Sequence, residues 1–326
     1  MTEPDAPRRG LLASIFTAVV LAVLAGFLYQ NRGHILESYS LQPGTFGAIA
    51  LLLLATLGLR AAANHLLFGG LGVAASLLDW FRLVCVTAFS NYLPFSAGLL
   101  AKAFFLKRVH ALAYRRFAVG QVSLLLLIFA TNGLVGLATL ALAMPSRLVG
   151  VVGLGFALML ASVGLLFLPA RMRSWPGARR LPWDPEAVVA ARRSWPGVAL
   201  CQLGMLLAGA WSLYLCFGLG SSQVGFAACL IFTAAAVLTR LITLTPGAIG
   251  IREFFVGGLA FLTGFEARDA IIASTLARAV EIAVVMVLGG LFTHTLSGEL
   301  AATFGASSES SRVDRPGSMG EIRDHD

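Results

Sequence analysis

Apolar residues fill long runs of this chain, and polar residues collect in short stretches between them. A run of about 20 apolar residues forms a helix that can cross the roughly 30 Å hydrocarbon core of a bilayer. The pattern therefore predicts an all-α polytopic membrane protein with six full spans. We place these spans near residues 11–30, 45–68, 117–143, 148–168, 198–219 and 269–296.

Two further apolar regions, near residues 77–106 and 226–264, are interrupted by proline and glycine. Backbone that leaves a helix inside a bilayer finds no water, so it persists only where protein or a wet cavity surrounds it. Two such breaks at corresponding positions of the two halves predict a substrate site between inverted repeats. The candidate binding residues are Asn91, Pro94, Gly98 and Lys102 at the first break, and Arg240, Pro246, Gly247, Gly250, Arg252 and Glu253 at the second.

Composition supports a membrane protein. The chain is 58% hydrophobic and 12% charged, whereas a soluble domain has about 25% charged residues. The net charge of +8 is concentrated in two basic stretches, 101–116 and 169–197. Short basic loops between apolar spans follow the positive-inside rule, which favours the cytoplasm for both stretches and argues against nucleic-acid binding. The four cysteines lie in apolar segments and lack the spacing of a metal site or a disulfide framework.

The first span determines the expected topology. Two arginines precede it, and it lacks the cleavage site of a signal peptide, so we expect residues 1–10 to be cytoplasmic. With both basic stretches inside, region 77–106 enters and returns, either as a re-entrant hairpin or as two short crossings. The second interrupted region then enters from the opposite face. Six spans with two hairpins, or eight spans, both give one transmembrane domain at 11–296 and a disordered cytoplasmic tail at 297–326.

Charged residues at membrane depth cost several kcal/mol unless they are paired or hydrated. Arg278 and Glu281 stand three residues apart near the middle of the last span, where they complete the candidate site. By contrast, Arg60 lies near a span end and is expected to extend to the interface. Asp79 and Arg82 are expected to neutralise each other on one helical turn.

Arginines flank the second break. Guanidinium groups bind phosphate oxygens in pairs, and a helix that begins near Glu253 would point its free amide groups towards the break. We therefore expect a phosphate-bearing ligand held by Arg240, Arg252 and Arg278. No glycine-rich phosphate loop, metal-spaced histidine set or carboxylate pair is present in the sequence, so no catalytic residue, metal or cofactor is predicted.

The two breaks resemble the transmembrane region of lysylphosphatidylglycerol synthase, the membrane domain of the bacterial multiple peptide resistance factor and of stand-alone flippase-like proteins. The resemblance extends over about 11–296. It rests on Asn91-x-Leu93-Pro94-x-x-x-Gly98-x-x-x-Lys102 and on Pro246-Gly247-x-x-Gly250-x-x-Glu253, followed by Gly264 and Arg278. The first motif departs from the family pattern, with Ser96 and Leu99 where charges are usual and Lys102 in place of arginine. The second break is therefore the better candidate site.

The resemblance implies a multi-pass protein of the bacterial inner membrane that binds or translocates a lipid. The expected lipid is an anionic or aminoacylated phospholipid, or a polyprenyl-linked intermediate. No soluble aminoacyl-transfer domain follows residue 296, so synthase activity is not expected. Two alternatives stay open: an integral-membrane transferase acting on a lipid phosphate with Glu253 as its base, and a non-catalytic partner subunit of a membrane lipid enzyme. Assembly into a homo-oligomer is also open.

Overall fold

The computed structural model describes residues 19, 22–39, 42–92, 98–143, 149–171, 184–220, 222–241 and 248–313. All regular secondary structure in these residues is helical. Four helices among them are long and apolar enough to cross a bilayer: Pro43–Gly70, Tyr114–Ala143, Trp195–Gly218 and Ala267–His294. The prediction of an all-α polytopic membrane protein is confirmed.

The helices follow the predicted order. They are α1 (22–30), α2 (Arg32–Ser38), α3 (Pro43–Gly70), α4 (Leu77–Ser90), α5 (Gly98–His110), α6 (Tyr114–Ala143), α7 (Val149–Arg171), α8 (Pro185–Arg192), α9 (Trp195–Gly218), α10 (Phe226–Ala236), a 3-10 helix (Val237–Leu241), α11 (Ile251–Leu262) and α12 (Ala267–Val313). Helices α3, α6, α7, α9 and α12 correspond to predicted spans. The predicted cytoplasmic segment 1–10 and much of the first span lie outside the described residues.

The last helix is longer than the sequence pattern predicted. It continues through Val313, whereas the expected span ended near residue 296. A helix that is already formed extends at little cost, because each added residue gains one backbone hydrogen bond. The expected disordered tail is thus helical in its first part, and residues 314–326 lie outside the described residues.

The first interrupted region is an antiparallel pair, α4 and α5, which we call hairpin 1. At its tip, a Cβ atom on Gly98 would lie 2.3 Å from the carbonyl oxygen of Thr87, so the start of α5 touches the last turn of α4. Further along α5, Lys102 Nζ lies 5.8 Å from the centre of the ring of Trp80, which is near the start of α4. Helix α5 therefore returns to the face at which α4 began.

The second interrupted region is also a hairpin, formed by α10, the 3-10 helix and α11, and we call it hairpin 2. The ring of Phe265, just after α11, lies 6.0 Å from that of Phe232 in α10. The hydroxyl of Ser222, just before α10, donates to the carboxylate of Asp269 in α12. The two ends of hairpin 2 therefore meet at one base.

Helix α3 shows that the two bases lie on opposite faces of the molecule. Near its C-terminal end, His65 Nδ1 lies 3.1 Å from the carbonyl oxygen of Ala75, which precedes hairpin 1. Before its N-terminal end, the Tyr39 hydroxyl donates to the carbonyl oxygen of Asp269, 3.4 Å away, and His34 Nε2 lies 2.9 Å from Asp269 Oδ1. Opposed hairpins of this kind are expected of an inverted repeat.

The hairpin helices are too short to cross a bilayer singly. Helix α4 has 14 residues and α5 has 13. At about 1.5 Å per residue they extend about 20 Å, against a hydrocarbon core of about 30 Å. The hairpin geometry therefore favours re-entrant segments over two short crossings.

Each hairpin is anchored in its own apolar core. Around hairpin 1, the ring of Phe68 stacks 5.2 Å from Trp80 and 5.9 Å from Phe117. Around hairpin 2, Phe217 and Phe232 lie in a second buried cluster with residues of α9, α11 and α12. Burial of these large aromatic rings stabilises the packing at each base.

Parts of both basic stretches lie on the face that holds the base of hairpin 1. A Cβ atom on Gly70, at the end of α3, would lie 3.0 Å from Ser194 Oγ, which places α8 and the start of α9 there. Arg116 Nε, at the start of α6, lies 3.4 Å from Asp184 Oδ2, which precedes α8. This clustering of arginine and lysine on one face follows the positive-inside pattern.

Candidate functional site

Helix α12 carries an ion-pair cluster between the two hairpin tips. Arg278 Nη1 donates to Glu281 Oε2 at 2.7 Å, and Arg252 Nη1 donates to the same oxygen at 3.3 Å. Arg252 stands in the first turn of α11, so the Glu281 carboxylate ties the tip of hairpin 2 to α12. The side chains of Arg278, Arg252 and Glu281 are 11%, 29% and 25% exposed.

Hairpin 1 reaches the same place through Tyr92, which follows α4. The Arg278 guanidinium lies 5.3 Å from the centre of the Tyr92 ring, a distance at which cation and ring attract each other. Arg60 of α3 interacts electrostatically with both Glu281 and Tyr92. We call Arg60, Tyr92, Arg252, Arg278 and Glu281 the tip cluster.

The tip cluster has an excess of positive charge. It holds three guanidinium groups and one carboxylate, and Glu253 is the further anion that interacts electrostatically with Arg278. Guanidinium groups are planar, permanently charged and matched in geometry to carboxylate and phosphate oxygens. The arrangement is therefore suited to an anion that brings several oxygen acceptors.

Glu253 acts as a cap at the start of α11. Gly250 has φ +83°, a conformation that favours glycine, and its amide donates to Glu253 Oε2 at 2.6 Å. Glu253 is 1% exposed, and its Oε1 has no hydrogen-bond partner in the described part of the chain. Its position is explained by the hydrogen bond that it accepts from an amide that the helix start leaves without a backbone partner.

Lys102 lies in hairpin 1 but outside the tip cluster. It is 5% exposed, and its Nζ donates to Asn64 Oδ1 at 2.5 Å and to Gln121 Oε1 at 2.9 Å. The ammonium also lies 4.8 Å from the centre of the Phe68 ring. Lys102 thus fixes hairpin 1 to α3 and α6.

The remaining predicted site residues form or border the breaks. Asn91 Oδ1 would lie 2.6 Å from a Cβ atom on Gly98, so both residues close the tip of hairpin 1. Pro94, Pro246 and Gly247 lie outside the described residues. Arg240 belongs to the 3-10 helix Val237–Leu241, and its side chain is not among those described.

Sequence reasoning missed two members of the tip cluster. Tyr92 gave no signal of its own, and Arg60 was expected at the interface, although its charge acts on Glu281 and Lys102 in the interior. The expected Asp79–Arg82 pair is present at 3.6 Å. Asp79 also completes a capping box with Ser76, whose Ser-x-x-Asp spacing before an apolar run could have been recognised in the sequence.

Comparison with known protein families shows to which family the chain belongs. Residues 10–289 match the family described as the lysylphosphatidylglycerol synthase TM region. The chain belongs to this family. No curated protein and no solved structure matches it. The region shared with the lysylphosphatidylglycerol synthase TM family contains both hairpins and the whole tip cluster, so the cluster lies within the family's membrane domain.

Proposed function

We propose that this member of the lysylphosphatidylglycerol synthase TM family binds the phosphate of a membrane lipid at the tip cluster and moves the lipid between leaflets. The observation that carries the proposal is the convergence of Arg252 and Arg278 on one oxygen of Glu281. Arginines held this close at membrane depth require anionic partners. A lipid phosphate supplies such a partner and brings several acceptor oxygens.

Movement between leaflets is supported by the opposed hairpins. Their bases lie on opposite faces, and their tips meet at α12, so the tip cluster can open to either side if one hairpin rocks against the rest. The Arg278–Tyr92 and Arg252–Glu281 contacts join α12 to one tip each. A change in either contact therefore alters access from one face.

The candidate ligands have one group in common, a phosphate. Anionic phospholipids, aminoacylated phospholipids and polyprenyl-linked lipids all carry it.

We place the protein in the bacterial inner membrane with the base of hairpin 1 towards the cytoplasm, because the arginines and lysines described above gather on that face.

Leaflet exchange in vesicles tests this function. Purified protein is reconstituted into phosphatidylcholine vesicles that contain a fluorescent phosphatidylglycerol, and dithionite bleaching reports the exchange rate. Arg278→Ala should slow exchange by about tenfold or more, because truncating one member of a partly buried, hydrogen-bonded charge pair typically costs 2 kcal/mol or more. The variant retains the Arg252–Glu281 pair, which favours folding.

Arg268→Ala is the matched control. Arg268 lies on the same helix, but it is 42% exposed and lies 3.9 Å from both Glu266 and its chain neighbour Asp269, away from the tip cluster. Its exchange rate should equal that of the wild type. Equal rates for all three proteins, at equal reconstitution, would remove Arg278 from the proposal. Rates no higher than in protein-free vesicles would remove phosphatidylglycerol as a substrate.

A further inference from the structure

Glu281 lies between the two arginines to which the proposed function assigns the lipid phosphate. Its Oε2 accepts from Arg278 at 2.7 Å and from Arg252 at 3.3 Å, so one carboxylate oxygen lies between two guanidinium groups. Phosphate and carboxylate oxygens take the same donors of arginine. A phosphate that approached from this side would compete with the carboxylate for Nη1 of both arginines.

The carboxylate also joins two parts of the fold that the proposed movement separates. Arg278 and Glu281 are three residues apart on α12, whereas Arg252 belongs to the tip of hairpin 2. A phosphate that displaced the carboxylate would replace this direct link with one that passes through the ligand. The replacement of one contact can therefore connect ligand binding to hairpin movement.

We propose that Glu281 is an internal substitute for the lipid phosphate, which displaces the carboxylate on binding and replaces the direct Arg252–Glu281 link between hairpin 2 and α12 with a link through the ligand. This inference rests on the function proposed above and specifies how the same site is regulated. The carboxylate neutralises the arginines when the site is empty. When a phosphate enters, it takes over that role, and the release of Glu281 keeps the net affinity low enough for the lipid to leave.

Glu281→Gln keeps the size of the side chain and removes its negative charge, so it tests the effect of the charge alone. We expect this variant to bind short-chain phosphatidylglycerol in detergent roughly tenfold more tightly than the wild type, within the usual range of coupling between linked sites. It should also exchange fluorescent phosphatidylglycerol more slowly, because release becomes limiting. Glu266→Gln, which removes a 70% exposed carboxylate outside the tip cluster, is the control and should leave both quantities unchanged.

Hydrogen exchange of the wild type gives a second readout that needs no variant. Addition of short-chain phosphatidylglycerol should alter amide exchange in the first turn of α11, because Arg252 changes its partner from Glu281 to the phosphate. Unchanged or weaker binding by Glu281→Gln, or unchanged exchange of α11 in the wild type, would overturn the inference. Neither outcome would affect the proposed function, which fails instead if the wild type neither binds nor exchanges the lipid.

Discussion

At the scale of single residues, the turn from Ala248 to Glu253 shows which local features could be predicted from the sequence and which could not. The spacing of Gly250 and Glu253 predicted a site, and the structure gives both a local role: Gly250 adopts φ +83° and donates its amide to Glu253. Ala248 also has a positive φ of 55°. A glycine followed three residues later by an acidic residue is a helix-start signal, so the spacing alone cannot distinguish a cap from a ligand group.

Substitution of Glu253 tests the capping role. Glu253→Gln keeps an acceptor oxygen for the Gly250 amide, whereas Glu253→Ala removes it. We expect Ala to lower the free energy of unfolding by about 1–2 kcal/mol more than Gln does, measured by thermal unfolding in detergent. Glu253→Gln should also retain leaflet exchange; its complete loss in the folded variant would instead favour the transferase alternative, in which Glu253 acts as a base.

The tip cluster could be predicted only in part. The intramembrane pair Arg278 and Glu281, and Arg252 beside the second break, were recognised because charges are rare in apolar segments. Arg60 and Tyr92 were not, because their role depends on the approach of α3 and hairpin 1 to α12. A one-dimensional pattern contains no information about such an approach between distant segments.

At the scale of elements, the crossing of α4 and α12 depends on one glycine. A Cβ atom on Gly289 would lie 2.3 Å from Phe89 Cβ and 3.1 Å from the carbonyl oxygen of Cys85, whereas one on Gly290 would have no neighbour within 4 Å. Small residues allow helix backbones to approach closely in membranes. Hairpin 1 and the last span are therefore held together by a close backbone contact as well as by side chains.

This contrast gives a matched pair of variants. Gly289→Ala should destabilise the protein by about 1–3 kcal/mol, because the added methyl group overpacks the crossing. Gly290→Ala should be neutral or stabilising by up to about 1 kcal/mol, because alanine favours a helix over glycine. Thermal unfolding of both variants in one detergent is the measurement. Equal melting temperatures would show that α4 and α12 do not cross at Gly289.

The order of the long apolar helices and of the two interrupted regions was largely predictable, because long apolar runs and Pro-Gly breaks leave few alternatives in a bilayer. The sequence did not distinguish hairpins from short crossings. That distinction depends on contacts such as Gly98 with Thr87 and Ser222 with Asp269. These contacts join segments whose relation only the folded chain reveals.

At the scale of the whole molecule, the opposed hairpins give the protein two distinct faces. Ala113 lies at the base of hairpin 1 and Gln223 at the base of hairpin 2, and both are exposed. In a background without native cysteines, Gln223→Cys should react with a membrane-impermeant maleimide in cells with a permeabilised outer membrane. Ala113→Cys should react only after the inner membrane is opened. Reaction of both from the same side would exclude hairpins that enter from opposite faces.

The central claim is that the tip cluster holds a lipid phosphate between the two hairpins. The most direct measurement is a cryo-electron microscopy map of the protein in nanodiscs that contain phosphatidylglycerol. Our account predicts headgroup density within hydrogen-bond reach of Arg252 and Arg278, with acyl-chain density leading to the bilayer. A map in which ordered lipid lies only on the outer perimeter, while Glu281 bridges the two arginines in every class, would contradict it.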